Sequence, residues 1–147
     1  MTKPPSLAVA CDHAGFEHKE ALVQWLQELG HAVKDYGTYS SESSDYPDFA
    51  HPMAYAVEEG RYELGISLCG SGNGINMVAN KHQGIRSALC WKPELASLAK
   101  QHNNANVCAV PARFVTLDEA KAIITAFLNA EFEGGRHQRR IDKIPLS

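Results

Sequence analysis

The segment Ile66–Ile75, ISLCGSGNGI, places a thiol where an apolar run gives way to alternate glycines. Cys69 ends a strand-like stretch, and Gly70–Gly74 lead into a helix-compatible segment. A glycine-rich turn between a strand and a helix lets backbone N–H groups converge on one point, where they can hold an anion or a developing oxyanion. The same groups would stabilise a thiolate, so Cys69 is a candidate base, with Ser71 as an additional donor. The plainer alternative is a small buried hydrophobe, which is the usual role of a free cysteine.

Two further polar pairs are candidates for acid–base chemistry. Asp12-His13 follows the first predicted strand, and His102-Asn103 lies in the predicted loop just before the fifth. Ligands of parallel sheets collect beyond the carboxyl ends of the strands, so we expect both pairs to lie there with the Cys69 loop. The alternative is that both histidines are hydrogen-bonded loop residues and that Asp12 only caps a turn. The other histidines have no comparable setting, and no spaced cluster predicts a metal: His18, His31, His51, His82 and His137.

Apolar runs rich in Val, Ile and Leu alternate with amphipathic segments, which is typical of βαβ units. The predicted strands are Leu7–Cys11, a short strand at 32–33, Leu64–Cys69, Ile85–Cys90 and Val107–Val110. The predicted helices are one ending near Gly30, Phe49–Glu59, Ile75–Asn80, one from Pro93 to about Gln101, and one from the capping box at Thr116 to a break at Gly134-Gly135. Five strands separated by helices predict an α/β fold with a mostly parallel sheet covered on both faces.

Composition narrows the class of protein. The length of 147 residues predicts a single domain, 1–147. The longest apolar runs fall short of the ~20 residues of a membrane helix, and the N-terminal segment lacks a signal-peptide core, so a cytoplasmic protein with no membrane partner is expected. The four separated cysteines favour reduced thiols. A net charge of -3 argues against nucleic acid as a partner.

The C-terminal region is locally basic. Arg136–Arg140, RHQRR, concentrates cationic groups, with Lys143 just beyond them. On spacing alone a solvated helical face explains this segment as well as a binding surface does. A nucleotide cofactor is disfavoured, because the glycine loop follows the third strand and an acidic ribose ligand after a second strand is not evident.

Seven motifs together resemble the ribose-5-phosphate isomerase type B family, whose relatives include the galactose-6-phosphate isomerase subunits. They are ACDHAGF, SSESSDYPD, CGSGNG, ANK, GIR, QHN-x-x-N and EGGRHQRR, in that order over nearly the whole chain. The resemblance implies a Rossmann-like α/β/α fold with a C-terminal extension, and a homodimer or dimer of dimers with active sites at the subunit interface. It also implies interconversion of ribose 5-phosphate and ribulose 5-phosphate in the non-oxidative pentose phosphate pathway, with no metal and no cofactor.

The resemblance assigns roles residue by residue. Cys69 matches the proton-abstracting base, and His102 matches the residue that assists opening of the sugar ring, with Asp12 as the candidate second group. Ser71 and the loop amides match the enediolate-stabilising element: Gly70, Ser71, Gly72, Asn73 and Gly74. The positions that match contacts to the sugar or its phosphate are Asp12, His13, Tyr46 and Asn103. The positions that match phosphate-binding arginines are Arg113, Arg136 and Arg140.

Two departures qualify the match. Many members have Thr where this chain has Ser71, and either hydroxyl can donate a hydrogen bond. Some relatives use a Glu just after the glycines as base, whereas this chain has Ile75, which leaves Cys69 as the loop's base. The alternatives are an isomerase of a six-carbon aldose phosphate, such as allose or galactose 6-phosphate, and a non-catalytic sugar-phosphate-binding domain.

Overall fold

The computed structural model describes residues 3–146 as five parallel strands in the order β2-β1-β3-β5-β4, with helices on both faces of the sheet. The strands are β1 Leu7–Cys11, β2 Val33–Asp35, β3 Leu64–Cys69, β4 Ser87–Leu89 and β5 Val107–Pro111. The helices are α1 Phe16–Glu28, α2 Pro47–Glu58, α3 Asn73–Ala79, α4 Pro93–Asn103, α5 Leu117–Asn129 and α6 Arg136–Asp142. The predicted Rossmann-like α/β architecture is confirmed, and every strand pair is parallel.

Side chains of β1 alternate between the two faces of the sheet, as the period of a strand requires. Leu7, Val9 and Cys11 pack in a core shared with α1, α4 and α5. Ala8 and Ala10 pack in a second core shared with α2 and the end of α3. Because both faces are covered, the strand is apolar throughout.

Two glycines have a different role from the predicted one. We expected Gly134-Gly135 to end the last amphipathic helix, but α5 already ends at Asn129, where Ala130 adopts an extended conformation. Gly134 and Gly135 both have positive φ angles, at 69° and 59°, and they precede the separate helix α6. The C-terminal extension is therefore a short helix that returns to α4.

The parallel topology gives the sheet two unlike ends. Each strand begins at what we call the amino end and finishes at the carboxyl end, and each intervening helix must carry the chain back to the amino end. The loops after β1, β3 and β5 therefore share one end, and the last turn of α4 lies at the other. Within residues 3–146, no helix has the length and apolar character needed to cross a membrane.

Candidate functional site

Asp12 and His13 lie at the carboxyl end, directly after β1. Asp12 is 6% exposed, and its Oδ1 accepts hydrogen bonds from the Ala14 and Gly15 amides at 2.9 and 3.3 Å. Asp12 therefore caps the turn after β1 with Oδ1, as the alternative interpretation of the sequence predicted. Oδ2 has no hydrogen bond from the described residues, which leaves it available to a ligand.

A reciprocal pair of hydrogen bonds fixes the ring of His13. The Ser44 amide donates to His13 Nδ1 at 3.1 Å, and the His13 amide donates to Ser44 Oγ at 3.2 Å. Since Nδ1 is an acceptor, the neutral imidazole carries its hydrogen on Nε2. The segment Ser44–Asp48 also lines, with Asp12 and His13, an open cavity of about 490 Å³.

Cys69 is the last residue of β3 and is 5% exposed. Its carbonyl accepts from the Ala112 amide at 2.9 Å, and the Gly70 carbonyl accepts from the Arg113 amide at 3.0 Å. These two bonds extend the pairing of β3 with β5 beyond the strands and fix the start of the loop. The Cys69 thiol is thereby fixed at the carboxyl end of the central strand of the sheet.

The glycine loop keeps several backbone amides unused. The amides of Ser71 and Gly72 donate to no acceptor among residues 3–146, whereas Asn73 N donates to Ser71 Oγ at 3.2 Å. Gly72 has a φ of 78°, which favours glycine, and it precedes the first residue of α3. Ser71 is exposed, so its hydroxyl hydrogen and the two amides can all serve a ligand at this point.

Two side chains from other segments cover the loop. A Cβ added to Gly74 would lie 2.8 Å from the Tyr46 hydroxyl, and one added to Gly70 would lie 3.0 Å from Arg113 Nη1. A side chain at either position would have to displace the Tyr46 ring or the Arg113 guanidinium, so glycine lets both groups lie close over the loop. Together with Asp12 and His13, these residues form the carboxyl-end half-site, which offers a thiol, free amides, an acid, an imidazole and a guanidinium.

His102 and Asn103 lie elsewhere than predicted. We expected them in a loop at the carboxyl end, but they occupy the last turn of α4, at the amino end of the sheet. Gly65 pairs with Val107 and Cys69 with Pro111, so the length of β5 alone separates the two ends by about 13 Å. The prediction was wrong because a residue that precedes a parallel strand lies at the opposite end from one that follows it.

Arg86 secures the turn that carries His102 and Asn103. Its Nε donates to the Asn103 carbonyl at 3.0 Å, and its Nη2 donates to the Asn104 carbonyl at 2.8 Å. The last carbonyls of a helix have no partner within the helix, so the guanidinium supplies one. Asn104 completes the helix end in a left-handed conformation with φ 46°.

The basic helix α6 lies beside this turn. The rings of His102 and His137 stack with centroids 4.2 Å apart, and the carboxylate of Glu133 lies 3.8 Å from His102 Nε2 and 3.5 Å from His137 Nε2. The expectation that His137 lacks a polar setting is therefore wrong. Burial lowers the pKa of His137, and the charges of Arg136 and His102 lower it further.

Arg136 and Arg140 are exposed on the same helix as His137. With His102, Asn103 and Glu133 they form the amino-end half-site. A cavity of about 700 Å³ adjoins it, and both polar side chains, such as Asn103 and Arg86, and apolar ones, such as Ile141 and Ile144, line it. This half-site offers an imidazole and anion-binding groups, but it has no thiol.

Four residues that shape the two half-sites escaped the sequence-based prediction: Lys19, Ser44, Arg86 and Glu133. Lys19 is fully buried, and its Nζ donates to Asp35 Oδ2 and to the Thr38 carbonyl, both at 2.7 Å. Burial alone would lower the pKa of Lys19, but the hydrogen bond and charge of Asp35 outweigh it and raise the pKa. Three of the four lie in motifs quoted above, Ser44 in SSESSDYPD, Arg86 in GIR and Glu133 in EGGRHQRR, so those motifs were a usable signal.

The other cysteines match their predicted role as core residues. Cys11, Cys90 and Cys108 are buried and free. Burial raises the pKa of the Cys11 thiol to about 12. Although Cys11 ends a strand next to β3, it is followed by a capped turn and not by a glycine loop, so it cannot supply a thiolate.

A thiol beside unused amides, with guanidinium groups nearby, is an arrangement that suits proton transfer and oxyanion stabilisation in an α/β enzyme that acts on a phosphorylated substrate. The family model described as Ribose/Galactose Isomerase matches residues 7–144. The chain belongs to this family, as its motifs predicted.

Individual relatives are similar to this chain in sequence along nearly their full length. The chain is 48% identical to ribose-5-phosphate isomerase B of Escherichia coli, over 94% of this chain and 93% of the relative. It is 41% identical to the D-erythrulose-4-phosphate isomerase of Pectobacterium atrosepticum, over 95% and 92%. The crystal structure of ribose-5-phosphate isomerase B from Mycoplasma genitalium with bound ribulose 5-phosphate superposes with a TM-score of 0.91 at 45% identity, covering 95% of this chain and 93% of that one.

Proposed function

We propose that this protein interconverts D-ribose 5-phosphate and D-ribulose 5-phosphate through a cis-enediolate, at active sites shared between two copies of the chain. The observation that carries the proposal is the junction of β3 with the glycine loop. Cys69 ends the strand, and the unused amides of Ser71 and Gly72 follow it at once. Membership of the family and the full-length similarity to ribose-5-phosphate isomerases B support the choice of reaction.

The proton transfer is assigned to Cys69. Its thiolate takes the proton from the carbon next to the open-chain carbonyl and returns it to the neighbouring carbon. The enediolate oxygen is held by the Ser71 hydroxyl and by the unused amides of Ser71 and Gly72. One preorganised oxyanion donor is typically worth about 3 kcal/mol of barrier, so two or three converging donors account for much of the acceleration.

Ring opening is assigned to groups from both half-sites. Ribose 5-phosphate is a furanose, so one group must remove the anomeric hydroxyl proton and another must protonate the ring oxygen. His102 and the free oxygen of Asp12 are assigned to these two steps. His13, Tyr46 and Asn103 contact the sugar, and Arg113, Arg136 and Arg140 bind the phosphate, for which the guanidinium fork is well matched.

The separation of the half-sites supports a homodimer or a dimer of dimers. Cys69 and His102 lie at opposite ends of one sheet, so a single copy cannot bring them to one sugar. A two-fold dimer that sets the carboxyl end of one copy against the amino end of its partner creates two complete sites, because symmetry repeats the contact.

The proposed cellular location is the cytoplasm. The four cysteines are all free, which is usual in a reducing compartment. The proposed reaction belongs to the non-oxidative pentose phosphate pathway.

A panel of aldose phosphates tests the reaction. The protein is expected to turn over ribose 5-phosphate best, and Cys69→Ala is expected to reduce kcat by at least about a thousandfold with little change in substrate binding. Substantial turnover by Cys69→Ala would remove the assigned base. If the wild-type protein binds ribose 5-phosphate without exchanging its C2 proton in deuterated water, the chain is a binding domain and the proposal fails.

A four-carbon substrate is the second candidate, and one observation favours it. The relative named D-erythrulose-4-phosphate isomerase is 41% identical over 95% of this chain. The panel therefore also includes the ketose D-erythrulose 4-phosphate, compared with ribulose 5-phosphate, and the aldoses allose and galactose 6-phosphate. A kcat/KM for D-erythrulose 4-phosphate above that for ribulose 5-phosphate would move the assignment to the shorter sugar.

A further inference from the structure

Glu133 lies at the edge of the two stacked histidines of the amino-end half-site, in the connection from α5 to α6. Its amide donates to the Gln101 carbonyl at 3.0 Å, which ties the connection to the last turn of α4. Its Oε1 lies 3.8 Å from His102 Nε2 and 3.5 Å from His137 Nε2. One carboxylate oxygen therefore faces the same ring atom of both histidines.

A metal is a natural first explanation, because one ligand atom from each of His102, Glu133 and His137 lies within 4.8 Å of the other two. The ring geometry disfavours it. The imidazole planes are only 12° from parallel, so their in-plane lone pairs run side by side and do not converge on one point. The positive charges of Arg136 and Arg140, which act on His137, further disfavour a cation.

The two histidines differ in exposure. The His137 side chain is 7% exposed, and its Nε2 has no hydrogen-bond partner in the part of the chain that the structure describes. The His102 side chain is 40% exposed, so only His102 can reach a substrate. His137 provides a flat, buried wall on one side of the His102 ring, and Glu133 provides a charge at its edge.

We propose that Glu133 is a positioning residue for ring opening, holding His102 against His137 with its Nε2 directed at the carboxylate. The inference rests on the proposed function and deepens it. At 3.8 Å from Nε2 the carboxylate makes no hydrogen bond, but its negative charge favours the ring form with hydrogen on Nε2 and leaves Nδ1 to exchange a proton with the sugar. Glu133 acts through His102 and does not itself touch the sugar.

The test separates ring opening from the later proton transfer. Ribulose 5-phosphate cannot close to a furanose because its 5-hydroxyl is esterified, so deuterium exchange at its C1 requires Cys69 but no ring opening. Glu133→Gln is expected to slow formation of ribulose 5-phosphate from ribose 5-phosphate by roughly tenfold to a hundredfold. Deuterium exchange into ribulose 5-phosphate is expected to stay within about twofold of wild type, since the enediolate chemistry is untouched.

Glu131→Gln is the matched control. Glu131 is an exposed residue two positions before Glu133, and the substitution removes the same charge. It is expected to leave both rates unchanged. The side chain of Glu133 is itself 50% exposed, so Glu133→Gln is expected to unfold at the wild-type temperature. A second measurement combines Glu133→Gln with His102→Asn: the double variant is expected to be no slower than His102→Asn alone, because both changes affect one step.

Several outcomes would overturn the proposal. If Glu133→Gln lowers the rates of isomerisation and of deuterium exchange equally, Glu133 has only a structural role. If the rate of isomerisation does not fall, Glu133 has no role in ring opening. Additive effects in the double variant would show that Glu133 does not act through His102. Tight Zn²⁺ binding by the wild type that Glu133→Gln abolishes would assign the cluster to a metal. A wild-type protein that neither isomerises nor exchanges would instead refute the proposed function itself.

Discussion

The two ends of the sheet are built differently. At the carboxyl end, Asp12 and Cys69 are buried, and His13 is fixed by paired hydrogen bonds to Ser44. At the amino end, Arg136 and Arg140 are exposed, and the side chains of Glu133 and His102, which lie 3.8 Å apart, are 50% and 40% exposed. The polar groups of the carboxyl end are thus fixed by contacts within one chain, whereas those of the amino end are largely exposed.

The contrast follows from the parallel topology. A helix that joins two parallel strands must return to the amino end, so residues that follow β3 and residues that precede β5 cannot meet in one copy. Under the proposed function, His102 must therefore come from a second copy of the chain to face Cys69. The exposed charges of α6 are consistent with a surface that is completed by a partner.

Removing the buried charge beneath the carboxyl end should give the largest effect on stability. Lys19→Met leaves Asp35 and the Thr38 carbonyl without their donor, so the free energy of unfolding should fall by about 3 kcal/mol. Chemical denaturation measures this change. As a control, Lys34→Met alters an exposed lysine of the same region and should leave stability nearly unchanged. Equal stability of Lys19→Met and wild type would mean that the contacts of the Lys19 ammonium do not stabilise the carboxyl end of the sheet.

Removing a charge from the amino end should instead affect binding. Arg140→Ala is expected to raise KM for ribose 5-phosphate by roughly tenfold, because a guanidinium–phosphate contact is lost, with little change in melting temperature. Arg139→Ala is the matched control, since Arg139 is an exposed neighbour on α6 with no assigned role. An unchanged KM in Arg140→Ala, or the same rise in both variants, would contradict a specific phosphate contact.

The smallest expected effect is a pH dependence of stability from His137. Burial, with the charge of Arg136, lowers the pKa of His137 in the folded protein, so the unfolded chain binds its proton more readily. Stability should therefore be full above about pH 6.5, the ordinary histidine value, and should decline as the pH falls below it. The free energy of unfolding of wild type and His137→Gln, measured between pH 7 and 5, tests this expectation. An equally steep decline of stability in His137→Gln would mean that other groups cause the pH dependence.

Sequence patterns located the elements and the carboxyl-end half-site well. The apolar run ending in Cys69 and the glycines after it identify a strand, a loop and a helix start, because strand and turn preferences are local. The capping box at Thr116 identifies the start of α5 for the same reason. The amino-end half-site was misplaced because local patterns do not record the end of the sheet at which a helix turn lies.

Tertiary contacts account for the residues that sequence patterns missed. Lys19 is buried although lysine is almost always exposed, because Asp35 and Thr38 reach it from a separate segment. His137 meets His102 where α6 returns to α4, beside the hydrogen bond from the Glu133 amide to the Gln101 carbonyl. Neither contact leaves a periodic signal in the chain, so both required the structure.

Mixing two inactive variants tests most directly whether the two ends act together across copies. Cys69→Ala lacks the assigned base, and His102→Asn lacks the ring-opening residue, so each homodimer should be nearly inactive. When the two proteins are unfolded together and refolded as a mixture, one site of each heterodimer receives Cys69 from one copy and His102 from the other. Random pairing predicts recovery of about one quarter of wild-type activity. Activity no higher than that of the separate variants, in a mixture shown to contain heterodimers, would contradict the shared active site.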